Sequence, residues 1–300
     1  MSLKRSISLE RSSDPVKSTK YNETVESGRR MPPSFDMSAP ESSSDAQQAQ
    51  TLRGKVAIVS GSNSGIGFAI AQELSNRGAK VVINYPFPSL QSQADEAAVS
   101  LPTKGHACCA DISTLEGPPT LVQAAISHFG RLDIVINNAA LAINIPFEEQ
   151  TMDHWDNLVN LNARGTFLLT QSALPHLTRG TGRIVNIVSI SSRVAPPLQT
   201  IYAGTKGMVD SFTKVWAKEL PPKYGCTVNA VSPGPTMTEG FAAAGEEAMK
   251  VLGPTIASTP AGKRMGEPSE IAFAVAFLCE EGARWVNGEH LFVNGGLFVD

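Results

Sequence analysis

Few cysteines, no excess of basic residues and no long apolar run set the first limits on this 300-residue chain. Its four cysteines, Cys108, Cys109, Cys226 and Cys279, form no C-x-x-C pair and show no metal-ligand spacing with histidine. That argues against a disulfide framework and against a structural metal site. Adjacent Cys108 and Cys109 are expected on a buried strand, where a free cysteine behaves as a small hydrophobe. A reducing compartment such as the cytoplasm fits that use. Lys and Arg total 25 against 28 Asp and Glu, a net charge of -3, so the chain lacks the basic footprint of a nucleic-acid binder. No apolar run approaches the roughly 18 residues of a membrane-spanning helix, and no membrane association is expected. The common dinucleotide fingerprint G-x-G-x-x-G is missing too. A small-molecule partner is the expectation that remains.

Residues 1–52 differ in composition from everything after them. They are rich in Ser, Gln, Pro and charge, as in "MPPSFDMSAPESSSDAQQAQ", with few large apolar residues. Such a segment cannot bury enough surface to offset its ordering entropy, which predicts a disordered tail. Lys4, Arg5 and Arg11 among serines give the start a faint transit-peptide look, but Glu10, Asp14, Glu23 and Glu26 argue against it. From residue 53 onward, short apolar runs alternate with helical patterns, as in βαβ units built on a parallel sheet. Strands are expected at 55–60, 80–85, 106–111, 134–139, 183–189, 227–233 and 290–296. Helices are expected at 66–77, 119–129, 153–176, 202–220 and 268–280, with Gly78 and Gly130 closing two of them. The expected architecture is one doubly wound α/β domain over 53–300.

After the first strand comes "VSGSNSGIGFAI" (59–70), whose Gly61, Gly65 and Gly67 are spaced G-x-x-x-G-x-G. Glycines between a strand and a helix let the backbone approach a ligand, and free helix N–H groups then face a pyrophosphate. A tight turn without a ligand is the plainer alternative. A carboxylate ending the second strand would bond the ribose of NAD and repel the extra phosphate of NADP. That strand ends in Asn84 and Tyr85, with no acid. NADP is favoured and NAD stays open, because only Ser62, Asn63, Ser89 and backbone donors stand near to take the phosphate.

"YAGTKG" places Tyr202 and Lys206 four residues apart, one turn along one helix face. An ammonium beside a phenol favours the phenolate and lowers its pKa, making the phenol a usable acid or base. Ser189 ends the strand "RIVNIVS", at the carboxyl edge where open α/β sheets bind ligands. Asn162 is polar within an amphipathic stretch, and Asn137 and Asn138 follow the apolar "DIVI". Singly, each has a structural account as a turn, a cap or a backbone bond.

Together these residues resemble the short-chain dehydrogenase/reductase family over about residues 53–300. The glycine stretch is similar to the family's T-G-x-x-x-G-x-G with Ser60 for Thr, and "NNAA" to N-N-A-G with Ala140 last. "NARGTF" (162–167) matches N-x-x-G-x-F. Ser189, Tyr202 and Lys206 match the serine and Y-x-x-x-K, "SPGPTMT" (232–238) the P-G-x-x-x-T, and "VNGG" the V-D-G-G with Asn294 for Asp. The details look most like fungal reductases of aromatic polyketides or naphthols.

The resemblance implies hydride transfer between a nicotinamide and a carbonyl or carbinol carbon. Tyr202 would donate a proton to the alkoxide, and Ser189 would hold the same oxygen. Lys206 would lower the Tyr202 pKa and bind the nicotinamide ribose, and Asn162 would hold a water linking Lys206 to solvent. Gly61, Asn63, Gly65, Ile66 and Gly67 would surround the phosphates. Asn138 would meet the adenosine ribose, and Asp111 the adenine unless it caps a helix. Pro233, Gly234, Thr236 and Thr238 would line the nicotinamide.

Residues 237–262 stand where the family carries a substrate lid. Leu141, Ile143, Ile145, Val194, Leu198, Met237 and Phe241 are pocket candidates, with Arg193 the one nearby charge. A hydrophobic or aromatic ketone is the expected substrate, and a homodimer or homotetramer, paired through helices 153–176 and 202–220, the expected assembly. Cyclisation, dehydration or epimerisation with a retained cofactor is an alternative, as is a non-catalytic nucleotide sensor.

Overall fold

A computed structural model describes residues 50–243 and 252–300. Residues 1–49 of the expected tail and 244–251 of the expected lid lie outside the described residues. Leu52, placed by composition at the end of the tail, is buried, and its N–H donates to the Arg77 carbonyl at 2.8 Å.

Every expected strand is present: β1 (Val56–Val59), β2 (Lys80–Tyr85), β3 (His106–Cys109), β4 (Ile134–Asn137), β5 (Gly182–Ile187), β6 (Cys226–Pro233) and β7 (His290–Val293). They pair in parallel as one seven-stranded sheet in the order β3-β2-β1-β4-β5-β6-β7. Chain order reverses between β1 and β4, which opens a ligand crevice at their carboxyl ends. The apolar runs follow from helices covering both faces. Ala57, Val59, Val81, Ile83, Ile134 and Ile136 point into a core shared with α1 (Gly65–Asn76) and α10 (Pro268–Cys279). Their neighbours Val56, Ile58, Val82 and Val135 point into a second core, with α3 (Gly117–Phe129), α5 (Thr166–Ala173) and α7 (Thr200–Glu219). Each fully buried Ile or Leu contributes about 2 kcal/mol.

Three expectations change. Helix α2 (Gln91–Ser100) stands where no helix is expected, because its buried face is only Ala94, Ala97 and Ala98. Alanine at helical spacing carries almost no hydrophobic contrast. The single helix expected at 153–176 is broken: α4 (Met152–Leu158) gives way to a π-helical turn at Val159–Gly165 before α5 resumes. Cys109 is exposed while Cys108 is buried, since β3 is an edge strand with one face partly uncovered.

Candidate active site

The glycine turn is shaped by its surroundings. Gly61 and Gly65 have φ of 60° and 58°, in the left-handed region that favours glycine. Gly67 is required for a different reason: a Cβ there would stand 2.2 Å from the Gly61 carbonyl oxygen and 2.6 Å from Asn138 Nδ2. The Ser60 hydroxyl accepts from the N–H groups of Asn138 (2.9 Å) and Ala139 (3.0 Å). Asn138 Nδ2 in turn donates to the carbonyls of Ser60 (2.9 Å) and Gly61 (3.0 Å). The Asn138 side chain is thus a brace for the turn. Ser64, at the N-cap of α1, makes no side-chain cap, and the first N–H to find a main-chain partner is that of Phe68, on Ser64 O. The N–H groups of Gly65, Ile66 and Gly67 are therefore open to an anion.

Asn84 does more than omit a carboxylate. Its Oδ1 accepts from Gly61 N at 3.0 Å, and its Nδ2 donates to the Ala110 carbonyl at 2.9 Å. One buried amide thus ties the ends of three strands together. Ser62 is removed from the set of phosphate donors: it is buried, with its hydroxyl bonded to Val59 O (2.7 Å) and Asn84 N (2.9 Å). Asn63 stays accessible beside Gln93, and Ser89 is exposed. Asp111 accepts from Ser113 N at 2.9 Å, a local turn after β3, and it does not cap α3, whose N-cap is Glu116.

Ser189, two residues beyond β5, meets Tyr202 near the start of α7, where Lys206 stands one turn further along. Burial pushes the Tyr202 phenol above its usual pKa, and a hydrogen bond with Ser189 acts in the opposite direction. Burial is the larger influence on the phenol in the free protein. Lys206 is itself buried, its ammonium pulled down to about 8 by that burial, and its Nζ donates to Ile187 O at 2.8 Å. It sits 5.9 Å from the Tyr202 ring centre. For both groups desolvation is the largest influence.

Asn162 lies in the π turn, where an extra residue per turn re-aims a side chain inward. Its Oδ1 accepts from Leu141 N (2.8 Å), and its Nδ2 donates to Leu141 O (2.9 Å) and to Thr205 Oγ1 (3.1 Å). Thr205 Oγ1 then donates to Tyr202 O at 2.7 Å. Thr205, missed in the sequence, thus links Asn162 to the tyrosine's backbone. Its signal was its place inside "YAGTKG", one residue before Lys206. Asn137 makes no Asx turn: its Nδ2 donates to Thr170 Oγ1 (2.9 Å) and Asn186 Oδ1 (2.8 Å), bracing β4 against α5 and β5.

Pro233 ends β6, and Gly234 packs so tightly that a Cβ would come within 3.0 Å of Asn294. Thr236 Oγ1 donates to Gly234 O at 2.9 Å, while Thr238 lies across from Gly65, 3.7 Å from where its Cβ would be. Of the pocket candidates, Leu141, Val194, Leu198 and Met237 are exposed apolar side chains. Ala195 and Leu198 adopt φ of 47° and 70°, strained for side-chain-bearing residues, in the loop leading to Tyr202. Ile143 and Ile145 line a small cleft with Gln150, His154, Leu158 and Ile201, four positions sequence reasoning did not single out. Arg193 does not serve the pocket; its Nη2 donates to Asp210 Oδ2 at 2.7 Å.

Residues 61–298 match the family model described as enoyl-(acyl carrier protein) reductase. The chain is 41% identical over 251 residues to the short-chain dehydrogenase/reductase FrzI of Cladobotryum sp., covering 82% of this chain and 97% of that one. It is 35% identical to a hydroxynaphthalene reductase of Aspergillus fumigatus, covering 79% of this chain and 90% of that protein. Among solved structures it is similar to a blue fluorescent protein from a metagenomic library in complex with NADPH, with a TM-score of 0.76, 32% identity and coverage of 83% and 100% of the two chains. The open helix N-terminus, the Ser189–Tyr202–Lys206 cluster and these likenesses agree: the chain belongs to the short-chain dehydrogenase/reductase family of oxidoreductases.

Proposed function

We propose that the protein is an NADP(H)-dependent reductase of a ketone, or in reverse a dehydrogenase of a secondary alcohol, acting on a hydrophobic or aromatic secondary metabolite. The observation that carries this reading is the meeting of Ser189, Tyr202 and Lys206 beside a helix N-terminus with free N–H groups. The Gly61–Gly67 turn fits a pyrophosphate, since the space a Gly67 Cβ would fill is closed by backbone and the adjoining N–H groups face outward. NADP, when bound, supplies the hydride. Asn84, its amide held by Gly61 and Ala110, puts no carboxylate at the end of β2 to repel a 2′-phosphate, and Asn63 and Ser89 are the side-chain donors left for it. The NADPH-bound neighbour supports the same choice.

Tyr202, a phenol protonated at neutral pH, gives its proton to the oxygen on which charge builds. Ser189 holds that oxygen, and Lys206 favours the phenolate left behind. Asn162 and Thr205 fix the start of α7 so that these distances hold. The exposed apolar side chains around Tyr202 suit an apolar substrate. The test is to follow nicotinamide absorbance with NADPH and NADH against aromatic and aliphatic ketones. The expected result is turnover of aromatic ketones with NADPH at least about tenfold faster than with NADH, on the order of 1.4 kcal/mol of discrimination. Turnover confined to sugars or charged acids overturns the substrate reading.

The exposed Trp155, Phe167, Met208 and Val215 lie on α4, α5 and α7, and apolar side chains of this size seek cover. We infer a homo-oligomer paired through those helices. Sedimentation equilibrium at micromolar concentration is expected to give a dimer or tetramer, and a monomer overturns this.

A further inference from the structure

Behind the catalytic cluster lies a second group of polar side chains with no part in the chemistry above. Ser232 Oγ lies 2.6 Å from His290 Nε2, and His290 Nδ1 lies 2.9 Å from Asp210 Oδ1. The order Ser–His–Asp is that of a hydrolytic triad, yet Ser232 is fully buried in β6 and its hydroxyl can meet no carbonyl. The cluster has a different connectivity. Asp210 Oδ2 accepts from Arg193 Nη2 (2.7 Å) and from Lys214 Nζ (3.1 Å), and Arg193 Nη2 also lies 3.4 Å from His290 Nδ1. The imidazole stacks on Phe292, ring centres 4.3 Å apart.

Each member belongs to a piece of the active site. Asp210 stands one turn beyond Lys206 on α7. Arg193 is in the turn α6 (Ser191–Val194) that follows Ser189, and its own N–H donates to Ile190 O at 2.8 Å. Ser232 precedes Pro233, whose carbonyl accepts from Ile190 N at 3.2 Å. His290 begins β7.

We propose that Arg193, Asp210, His290 and Ser232 act together as positioning residues for hydride transfer, locking the Ser189 turn, the Lys206 helix and the Pro233–Gly234 loop at one spacing, with the His290 imidazole as the joint. The proposal rests on the reductase reading above. A neutral imidazole that accepts from the Ser232 hydroxyl on Nε2 carries its proton on Nδ1, which stands 2.9 Å from Asp210 Oδ1, an oxygen with no aligned hydrogen-bond donor of its own. Adding a proton turns Nε2 into a donor, forces the Ser232 hydroxyl to rotate and sets a third cation beside Arg193 and Lys214. Burial resists that proton, Asp210 favours it, and Arg193 and Lys214 oppose it. Acidification therefore loosens the joint.

The test is the kcat of the purified full chain on a ketone that the wild type reduces, measured against pH at saturating NADPH, with NADPH affinity from nicotinamide fluorescence. Misplacing the reacting groups by a fraction of an ångström is expected to cost His290→Leu about tenfold in kcat. NADPH affinity should stay within about twofold, because the joint makes no hydrogen bond to the Gly61–Gly67 turn. The wild type should lose kcat at acidic pH through a single ionisation that His290→Leu lacks. His290→Asn, which keeps a donor for Asp210, should recover most of the rate. Wild-type kcat in His290→Leu overturns the proposal. So does a parallel fall of kcat, NADPH affinity and thermal midpoint with no recovery in His290→Asn. Should His290→Leu fail to fold, Arg193→Met against Arg193→Lys decides: a loss restored by lysine supports the joint, and equal rates overturn it. A wild type that reduces no ketone with NADPH overturns the reductase reading instead, before any variant is made.

Discussion

Replacing Tyr202 with phenylalanine is expected to lower kcat for ketone reduction about a thousandfold while leaving NADPH binding within a few-fold of wild type. The phenol proton is the only one Tyr202 contributes, and phenylalanine fills the same half-buried volume, so the fold should persist. Stopped-flow reduction and nicotinamide fluorescence separate the two effects. Unchanged turnover would assign the proton to another group and dismantle the mechanism. Collapse of NADPH binding along with turnover would make Tyr202 a structural residue.

The pH dependence provides a second arm of the same prediction. Lys206 carries its charge only below about 8, while burial holds the phenol protonated above that pH. Reductive kcat/KM, which reports the free enzyme, should therefore be level through neutral pH and fall above about 8 as the ammonium is lost. A base-activated reaction would show the opposite slope.

The second large effect is expected at Gly67. In Gly67→Ala the new methyl would meet the Gly61 carbonyl oxygen at 2.2 Å, Asn138 Nδ2 at 2.6 Å and Ser62 Cα at 2.9 Å. Two of these are backbone atoms of the turn, so the turn itself must move. Overpacking of this kind costs about 2 kcal/mol of stability, and the displaced N–H groups should weaken NADPH binding at least about tenfold, or on the order of 1.4 kcal/mol. Thermal denaturation and NADPH titration measure both quantities. Gly282→Ala is the control, because nothing lies within 4 Å of its Cβ position. It should shift stability by less than about 0.5 kcal/mol. Wild-type NADPH affinity in Gly67→Ala would show that the turn cradles no pyrophosphate.

The strands, most of the helices and the residues of the site were legible in the sequence because each is written locally. A strand covered on both faces needs an apolar run, and a turn that must approach a phosphate needs glycine. An acid–base pair on one helix face needs four-residue spacing. Helix α2 was illegible because alanine buries without contrast, and the break at Val159–Gly165 was illegible because a π turn costs no change in residue type. Nor could composition tell that Ser62 faces inward or that Arg193 is held by Asp210. Both depend on partners from distant stretches of chain.

The sequence by itself determined the order of the elements, the glycine turn and which residues, Ser189, Tyr202 and Lys206, are proposed for the chemistry. Only the tertiary structure decided their states. Burial carries the Tyr202 phenol up and the Lys206 ammonium down, because desolvation depends on what surrounds a group in space and not on its spacing along the chain. Packing likewise made Asn84, Asn138 and Asn162 into braces and gathered Arg193, Asp210, Ser232 and His290, which span 98 positions from first to last, into one joint. Hydrogen bonds between residues so far apart in the chain leave no periodicity to read, and only the folded sheet with its helices brings them within 3 Å or so of one another.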